Sequence, residues 1–189
     1  MPIVFTYKLE LDKIKYDKIG FNPPIEGLTF DNMTIYDLNK IFHDYRDEIN
    51  ENTNKDLLTK FNDPTYNGFI IRRGDKICGY FFLNYGTTYP ILKTKYVDER
   101  YNGYILSDYV FKKYRGRQIQ QYAFYNRIQL LKKKNYKTAT AVIAIHNYPS
   151  RRSIDKMGFK KCVMCYYFRC GKWIRSRDLF KIIEKKVKY

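Results

Sequence analysis

The chain has 189 residues, of which 44% are hydrophobic and 29% are charged. This balance excludes a disordered protein, and the length favours a single domain over residues 1–189. The formal net charge of +17 is uneven, because residues 1–98 carry 13 basic and 14 acidic side chains and the remainder carries 23 basic and 5 acidic ones. A positive C-terminal half favours an anionic partner: a phosphate-rich cofactor, nucleic acid, a membrane surface or an acidic carrier protein.

The sequence also predicts the compartment and the state of the cysteines. No apolar run is long enough to cross a bilayer, and the N-terminus lacks the apolar core of a signal peptide, so we expect no membrane span and a cytoplasmic protein. The four cysteines should then be reduced, buried thiols. Cys162 and Cys165 have half of a zinc-site spacing, but two strand residues so spaced point to opposite faces, and no second pair is near. We expect no metal.

The first half of the chain predicts strands and helices separated by turn residues. Alternating apolar and polar side chains indicate strands, and apolar residues at helical spacing indicate helices. Asp31 and Thr34 are candidate N-caps of the first helix, and Gly74 with Asp75 forms a hairpin turn. The predicted elements are, in order, a strand at 3–11, helices at 35–49 and 55–61, and paired strands at 68–73 and 76–85.

The second half predicts a buried strand, a basic turn and a helix, after an irregular stretch at 86–103. The strand, residues 104–111, is apolar except for Asp108, as expected for a strand covered on both faces. A helix N-terminus leaves backbone N–H groups unpaired, and Gly116 in the turn before it would let a phosphate approach closely. An anion site and an ordinary tight turn both fit this pattern. The remaining predicted elements are helices from 119 to about 132, at 150–156 and at 178–189, and strands at 138–145, 160–169 and 173–175.

Two motifs resemble those of the GCN5-related N-acetyltransferase (GNAT) family. Val110 to Ile119 is similar to its acetyl-CoA motif, in which a strand Val leads into Arg/Gln-x-x-Gly-x-Gly/Ala. Asn147 to Phe159 is similar to its second motif, an Asn followed by a short helix and a closing Gly-Phe. The resemblance covers about residues 104–160, the expected acetyl-CoA-binding core. It implies an α/β fold with a mixed, mostly antiparallel sheet flanked by helices and splayed between the strands near 104–111 and 138–145.

The resemblance implies an acyltransferase that uses acetyl-CoA as co-substrate and passes the acetyl group directly to a primary amine. The pyrophosphate would lie on backbone N–H groups of the turn, and the pantetheine between the splayed strands. A backbone N–H near Val110 would hold the thioester carbonyl, and Asn147 would bind the pantetheine or nearby backbone. The implied cofactor-binding residues are Tyr109, Val110, Arg115, Gly116, Arg117, Gln118, Ile119, Asn147 and Ser150.

The sequence departs from the family pattern at two places. Gln118 stands where the motif has Gly or Ala, and Lys113 replaces the Arg or Gln with which the motif begins. Ile154 occupies the position of the usual Tyr general acid, seven residues after the Asn. Catalytic candidates from the residues themselves are Asp108 as a base with its pKa raised by burial, His146 at a strand end, and Tyr148 or Tyr166 as a substitute acid. Glu99, in the loop before the central strand, is a further candidate. The alternative for Asp108 is a carboxylate paired with a nearby Arg.

Several functions remain open at this point. The acceptor is a small-molecule or macromolecular amine. The basic half also fits an RNA- or aminoacyl-tRNA-directed transferase or a nucleic-acid-binding protein. A longer acyl donor or an acyl carrier protein is a further alternative, as is an acetyl-CoA sensor without turnover. A homodimer is possible by resemblance.

Overall fold

The computed structural model describes residues 3–13, 26–85, 102–167 and 173–175. Most strands and helices within these ranges follow the order that the sequence predicts. The strands are β1 (Ile3–Glu10), β2 (Leu28–Asn32), β3 (Tyr66–Arg73), β4 (Lys76–Asn84), β5 (Asn102–Val110), β6 (Thr138–Ala144), β7 (Lys160–Tyr167) and β8 (Trp173–Arg175). The helices are α1 (Ile35–Asp44), α2 (Glu51–Asn62), α3 (Ile119–Lys133) and α4 (Tyr148–Lys156), with a 3₁₀ turn at Lys112–Tyr114.

The strands form one sheet in the order β2-β3-β4-β5-β6-β1-β7-β8. Within it, β5 and β6 run parallel, and each other neighbouring pair is antiparallel. A parallel neighbour needs a crossover, and α3 supplies it between β5 and β6. The predicted α/β fold with a mixed, mostly antiparallel sheet is confirmed.

The core lies on the central strands and the helices that cover them. β4 is buried from Ile77 to Asn84, and α3 packs on β4 and β5 through a buried stripe that includes Phe124 and Ile128. Asp108 contacts α3, whereas Tyr109 contacts the segment after α1. Because neighbouring strand residues point to opposite faces, α3 and that segment cover opposite faces of the sheet.

Some predicted boundaries were wrong. Thr34 is the N-cap of α1 and closes a capping box with Asp37, whereas Asp31 belongs to β2, a strand that the sequence did not predict. Helix α1 ends at Asp44 instead of residue 49. Helix α2 begins four residues earlier than predicted, because Asn50 caps it by accepting a hydrogen bond from the Thr53 N–H. The predicted helix at 178–189 and most of the 86–103 stretch lie outside the described residues.

The cysteines only partly follow the prediction. Cys78 and Cys165 are buried, but Cys162 is exposed. A register shift between β1 and β7 lies at Cys162, so the placement of Cys162 and Cys165 on opposite faces of β7 stays a prediction. Cys170 lies outside the described residues. Within the described chain no cluster of three or more His, Cys, Asp or Glu residues could hold a metal ion, and no helix is long and apolar enough to cross a bilayer.

Candidate active site

The site begins where β5 and β6 separate. Their parallel pairing runs from Asn102 opposite Thr138 to Ile105 opposite Ala141 and stops there, although both strands continue. The predicted splay is therefore present. It leaves a wedge between the C-terminal ends of two central strands, where backbone groups are open to a ligand.

A β-bulge in β5 lies at the point of separation. Tyr80 of β4 pairs with Tyr109 and Phe82 pairs with Leu106, so two residues, Ser107 and Asp108, oppose one. Ser107 has a φ of 52°, a left-handed conformation that is uncommon for a residue other than glycine. A bulge bends its strand and increases the local twist, which accounts for the end of the β5–β6 ladder.

Arg127 of α3 holds this bulge. Its guanidinium donates to both carboxylate oxygens of Asp108, at 2.6 and 2.7 Å, and to the backbone oxygen of Phe82 at 2.8 Å. The side chain is fully buried. Sequence analysis missed Arg127, although the signal was available, because an Arg within the apolar stripe of a helix requires a buried acid or carbonyl partner.

A cleft of about 570 Å³ opens at the end of β5, beyond the point where β5 separates from β6, and is bounded by the turn before α3 and by helix α4. It brings together residues from the two motifs that lie thirty positions apart. All nine predicted cofactor-binding residues line it, as does Asp108. Further lining residues, which the sequence analysis had not assigned to the site, are Tyr114, Gln120, Gln121, Pro149, Arg152, Ser153 and Lys156.

The floor of the cleft is the N-terminus of α3. Gly116 has a φ of 75° and Gln118 a φ of 57°, and Gln118 makes no side-chain cap. No acidic residue lies in the first turn, and the helix begins its backbone bonding with the Tyr122 N–H donating to the Gln118 carbonyl. The preceding N–H groups are thus left for a ligand, at the positive end of the helix dipole. This arrangement favours an anion.

Cationic side chains surround that floor. Arg115, Arg117, Arg152 and Lys156 all line the cleft. Arg115 is held toward the strand, because its Nε donates to the Val110 carbonyl at 3.0 Å. Two of the four cations come from α4, so both motifs contribute positive charge to the same cleft.

Asn147 and Ser150 connect α4 to the site. Asn147 is the N-cap of α4, and its side-chain oxygen accepts a hydrogen bond from the Ser150 N–H at 3.2 Å. The Ser150 hydroxyl in turn accepts from the Gln120 side chain at 3.3 Å, which links the first turns of α3 and α4. Asn147 therefore bonds to nearby backbone, one of the two roles expected for it.

Asp108 lies in the cleft wall, and its carboxylate is paired with Arg127. Burial raises the pKa of its carboxyl, and the Arg127 guanidinium opposes that rise. Both carboxylate oxygens accept hydrogen bonds from Arg127, so the alternative of a paired, structural carboxylate is the one that the contacts favour. Its role as a general base stays a prediction from the sequence.

His146 and Tyr148 are not brought into the cleft. His146 is exposed in the turn after β6, and Tyr148 is 62% exposed at the start of α4. Tyr148 lines a separate hollow with Arg151, Arg152 and Asp155. Ile154 is fully buried in the core, and its hydrocarbon side chain has no acidic proton to donate.

The chain matches one known protein family over most of its length. The family model for the acetyltransferase (GNAT) family matches residues 33–159, which is more than half of the chain. The chain belongs to the acetyltransferase (GNAT) family. The cleft at the splayed strands is thus the candidate active site of a GNAT protein. No curated protein sequence matches the chain significantly.

Solved structures share the fold at low sequence identity. A functionally unknown conserved protein from Staphylococcus epidermidis is 8% identical with a TM-score of 0.60, over 86% of this chain and 59% of that one. A GCN5-related glucosamine N-acetyltransferase region of a fungal multi-domain GH3 beta-N-acetylglucosaminidase is 15% identical with a TM-score of 0.63, over 86% and 20%. AAC(6')-Iy, in complex with the bisubstrate analogue CoA-S-monomethyl-acetylneamine, is 12% identical with a TM-score of 0.52, over 70% and 90%. This GNAT chain therefore spans 59% and 20% of the first two proteins.

Proposed function

We propose that this GNAT protein is an acetyl-CoA-dependent N-acetyltransferase that passes the acetyl group directly to a primary amine. The observation that carries the proposal is the uncapped N-terminus of α3, which faces a cleft lined by the end of β5 where that strand has separated from β6. The floor suits a pyrophosphate, and the wedge suits an extended arm that must hydrogen-bond to open strand backbone. A similar structure, AAC(6')-Iy, is a complex with a CoA bisubstrate analogue.

The chemistry that these residues would supply is positioning and electrostatic stabilisation. Backbone N–H groups from Gly116 to Ile119 would hold the phosphates, with Arg117, Arg152 and Lys156 balancing their charge. The Arg115 N–H is not among them, because it donates to the Lys112 carbonyl. An N–H near Val110 would stabilise the negative charge that develops on the thioester oxygen as the amine attacks. A thiol is a fair leaving group near neutral pH, because its ordinary pKa is about 8.5.

Calorimetric titration with acetyl-CoA tests the donor. We expect a micromolar dissociation constant for the wild-type protein, and no heat at millimolar acetyl-CoA would refute the proposal. Acetyl-CoA, longer acyl-CoAs and an acyl carrier protein are then compared as donors by thiol release. Amino sugars come first in the acceptor panel, because a similar fungal structure is a glucosamine N-acetyltransferase region, followed by polyamines, peptides and aminoacyl-tRNA. Binding without thiol release toward any acceptor would indicate a sensor.

A second candidate, a polyanionic acceptor such as RNA, rests on exposed cations of α4 and of the start of β7. Arg152, Lys156, Lys160 and Lys161 are all exposed, and none makes an ion pair with another residue of the described ranges. Phosphate tracking by such cations makes the affinity fall steeply with salt. A gel shift with transfer RNA over a range of salt concentrations tests this, and an affinity that does not change with salt would exclude it.

A further inference from the structure

A phenol and a carboxylate meet at the edge of the cleft. The Tyr109 hydroxyl donates to Glu48 Oε2 at 3.0 Å, and the same carboxylate accepts from the Lys112 backbone N–H at 3.0 Å. Tyr109 lines the cleft from β5, whereas Glu48 lies between α1 and α2 and is not among the residues that line the cleft. Because 61 residues separate the two, their contact could not be predicted from the sequence.

The surroundings of Tyr109 suit a phenol that passes protons. Its ring stacks on Tyr80 with centroids 5.6 Å apart, which fixes its orientation. The Arg115 guanidinium lies 5.3 Å from the ring centroid. Burial raises the pKa of Tyr109, Glu48 adds to that rise, and Arg115 opposes it. The hydroxyl thus has a proton acceptor on one side and a cation that stabilises negative charge on the oxygen.

We propose that Tyr109 is a catalytic residue that takes a proton from the acceptor amine while passing its own proton to Glu48. The inference rests on the proposed function and names the residues that carry its proton transfer. Other candidates are less well placed, because Asp108 is held by Arg127, Ile154 is buried, and His146 and Tyr148 lie outside the cleft.

The acceptor nitrogen loses two protons in the reaction, and each has a destination. The acceptor enters as an ammonium ion and gives one proton to Tyr109 Oη, whose own proton moves to the Glu48 carboxylate. The neutral amine attacks the thioester carbon, the new C–N bond forms and the C–S bond breaks. The second proton leaves the nitrogen for the departing thiolate. Glu48 is half-buried and releases its proton to water, which restores the starting state.

Kinetics with the best amine from the acceptor panel test the relay. We expect Tyr109→Phe and Glu48→Gln each to lower kcat roughly 100-fold with little change in acetyl-CoA affinity, the size usual for general acid–base catalysis. The double variant should be no slower than the slower single one, because both substitutions interrupt one path. Matched controls are Tyr36→Phe, which removes an exposed tyrosine hydroxyl on α1, and Glu51→Gln, which removes an exposed charge on α2; both should keep the wild-type kcat. A Tyr109→Phe protein with wild-type kcat overturns the proposal.

A second measurement needs no acceptor. With tyrosine isotope-labelled at Cζ, the Tyr109 resonance is assigned from the Tyr109→Phe spectrum and followed through a pH titration. Since Glu48 raises the pKa of Tyr109, Glu48→Gln should lower it, and acetyl-CoA should shift the Tyr109 resonance. An unchanged pKa, or no response to bound acetyl-CoA, overturns the relay. Calorimetry on the wild type separates the two failures, because acetyl-CoA that does not bind refutes the proposed function itself.

Discussion

Arg127 and Asp108 form a bidentate ion pair, with the two guanidinium nitrogens 2.6 and 2.7 Å from the two carboxylate oxygens. The pair joins α3 to the bulge in β5, and the same guanidinium satisfies the Phe82 carbonyl that faces the bulge. The guanidinium also lies 5.4 Å from the Phe81 ring centroid and 5.1 Å from that of Phe124. One buried side chain thus stabilises the local geometry that separates β5 from β6 and opens the cleft.

Removing this guanidinium should destabilise the protein and weaken its cofactor binding. In Arg127→Met the Asp108 carboxylate and the Phe82 carbonyl lose their buried partner, which costs about 3–5 kcal/mol for a broken buried pair. Denaturant unfolding measures the loss of unfolding free energy. Calorimetry with acetyl-CoA, on protein that is still folded, should show a weaker affinity because the bulge is no longer fixed.

The double variant Arg127→Met with Asp108→Leu separates charge from packing. It removes both charges together, so it should be more stable than Arg127→Met alone, since apolar replacement of a buried pair is often tolerated. Acetyl-CoA affinity should stay low in the double variant if the pair sets the shape of the bulge. A double variant that is less stable than Arg127→Met would show that the unpaired Asp108 carboxylate does not cause the loss of unfolding free energy in Arg127→Met.

Gly116 offers a test of the anion site with a matched control. Gly116 and Gly74 have φ values of 75° and 55°, and a Cβ at either position would meet no atom within 4 Å. Replacement by Ala therefore costs backbone strain at both positions, of order 1 kcal/mol. Only Gly116 lines the cleft, so Gly116→Ala should weaken acetyl-CoA binding and Gly74→Ala should not. Equal affinities in calorimetry would mean that no phosphate approaches the Gly116 backbone.

The sequence predicted the fold better than it predicted the chemistry. Periodicity and turn residues are local, so the order of most strands and helices could be predicted, as could the two motifs that line the cleft. β2 was missed because it is only five residues long and because Asp31, near its end, was interpreted as a candidate helix N-cap. The pairing of Arg127 with Asp108, and of Glu48 with Tyr109, depends on strand register and helix packing across distant segments, which a single sequence does not contain.

Tyr148 shows that closeness in sequence does not guarantee a place in the cleft. Its position next to Asn147 predicts closeness to the cleft, and the chain does start a helix there. Successive residues of a helix point in directions about 100° apart, so being next in sequence does not mean sharing a face. Asn147 and Ser150 line the cleft, whereas Tyr148 points to the separate hollow.

Gly79 should be required for the close approach of β4 to the bulged strand. A Cβ at Gly79 would lie 2.5 Å from the backbone oxygen of Tyr109 and 3.2 Å from the Val110 Cα, and backbone cannot move aside cheaply. Gly68, also in the sheet, would meet only side-chain atoms, at 3.2 Å and beyond. We expect Gly79→Ala to lose about 1–3 kcal/mol of unfolding free energy or more, the range for overpacking. Gly68→Ala should lose less, and the reverse order in denaturant unfolding would contradict the strand geometry.

Asp37 should make the stability of the protein depend on pH in the acidic range. The side chain is fully buried and accepts from the Thr34 N–H at 2.9 Å, the Thr34 hydroxyl at 2.8 Å and the Arg72 guanidinium. Burial raises the pKa of Asp37, but these donors outweigh it, so the pKa in the folded protein lies below its ordinary value. A lowered pKa stabilises the folded protein above the unfolded-state value of about 4, and this contribution disappears as the pH falls through the folded-state value.

Unfolding of Asp37→Asn at several pH values measures that contribution. We expect the variant to be about 1–3 kcal/mol less stable than wild type at neutral pH. The reason is that Asn has no negative charge to pair with Arg72 and to strengthen the hydrogen bond from the Thr34 N–H. The difference should shrink as the pH is lowered from about 5 toward 2, because the wild type then loses the same charge by protonation. Asp75→Asn makes the same substitution at an exposed turn and should follow the wild-type curve. A difference between Asp37→Asn and wild type that stays constant with pH would mean that packing, and not ionisation, is the contribution of Asp37.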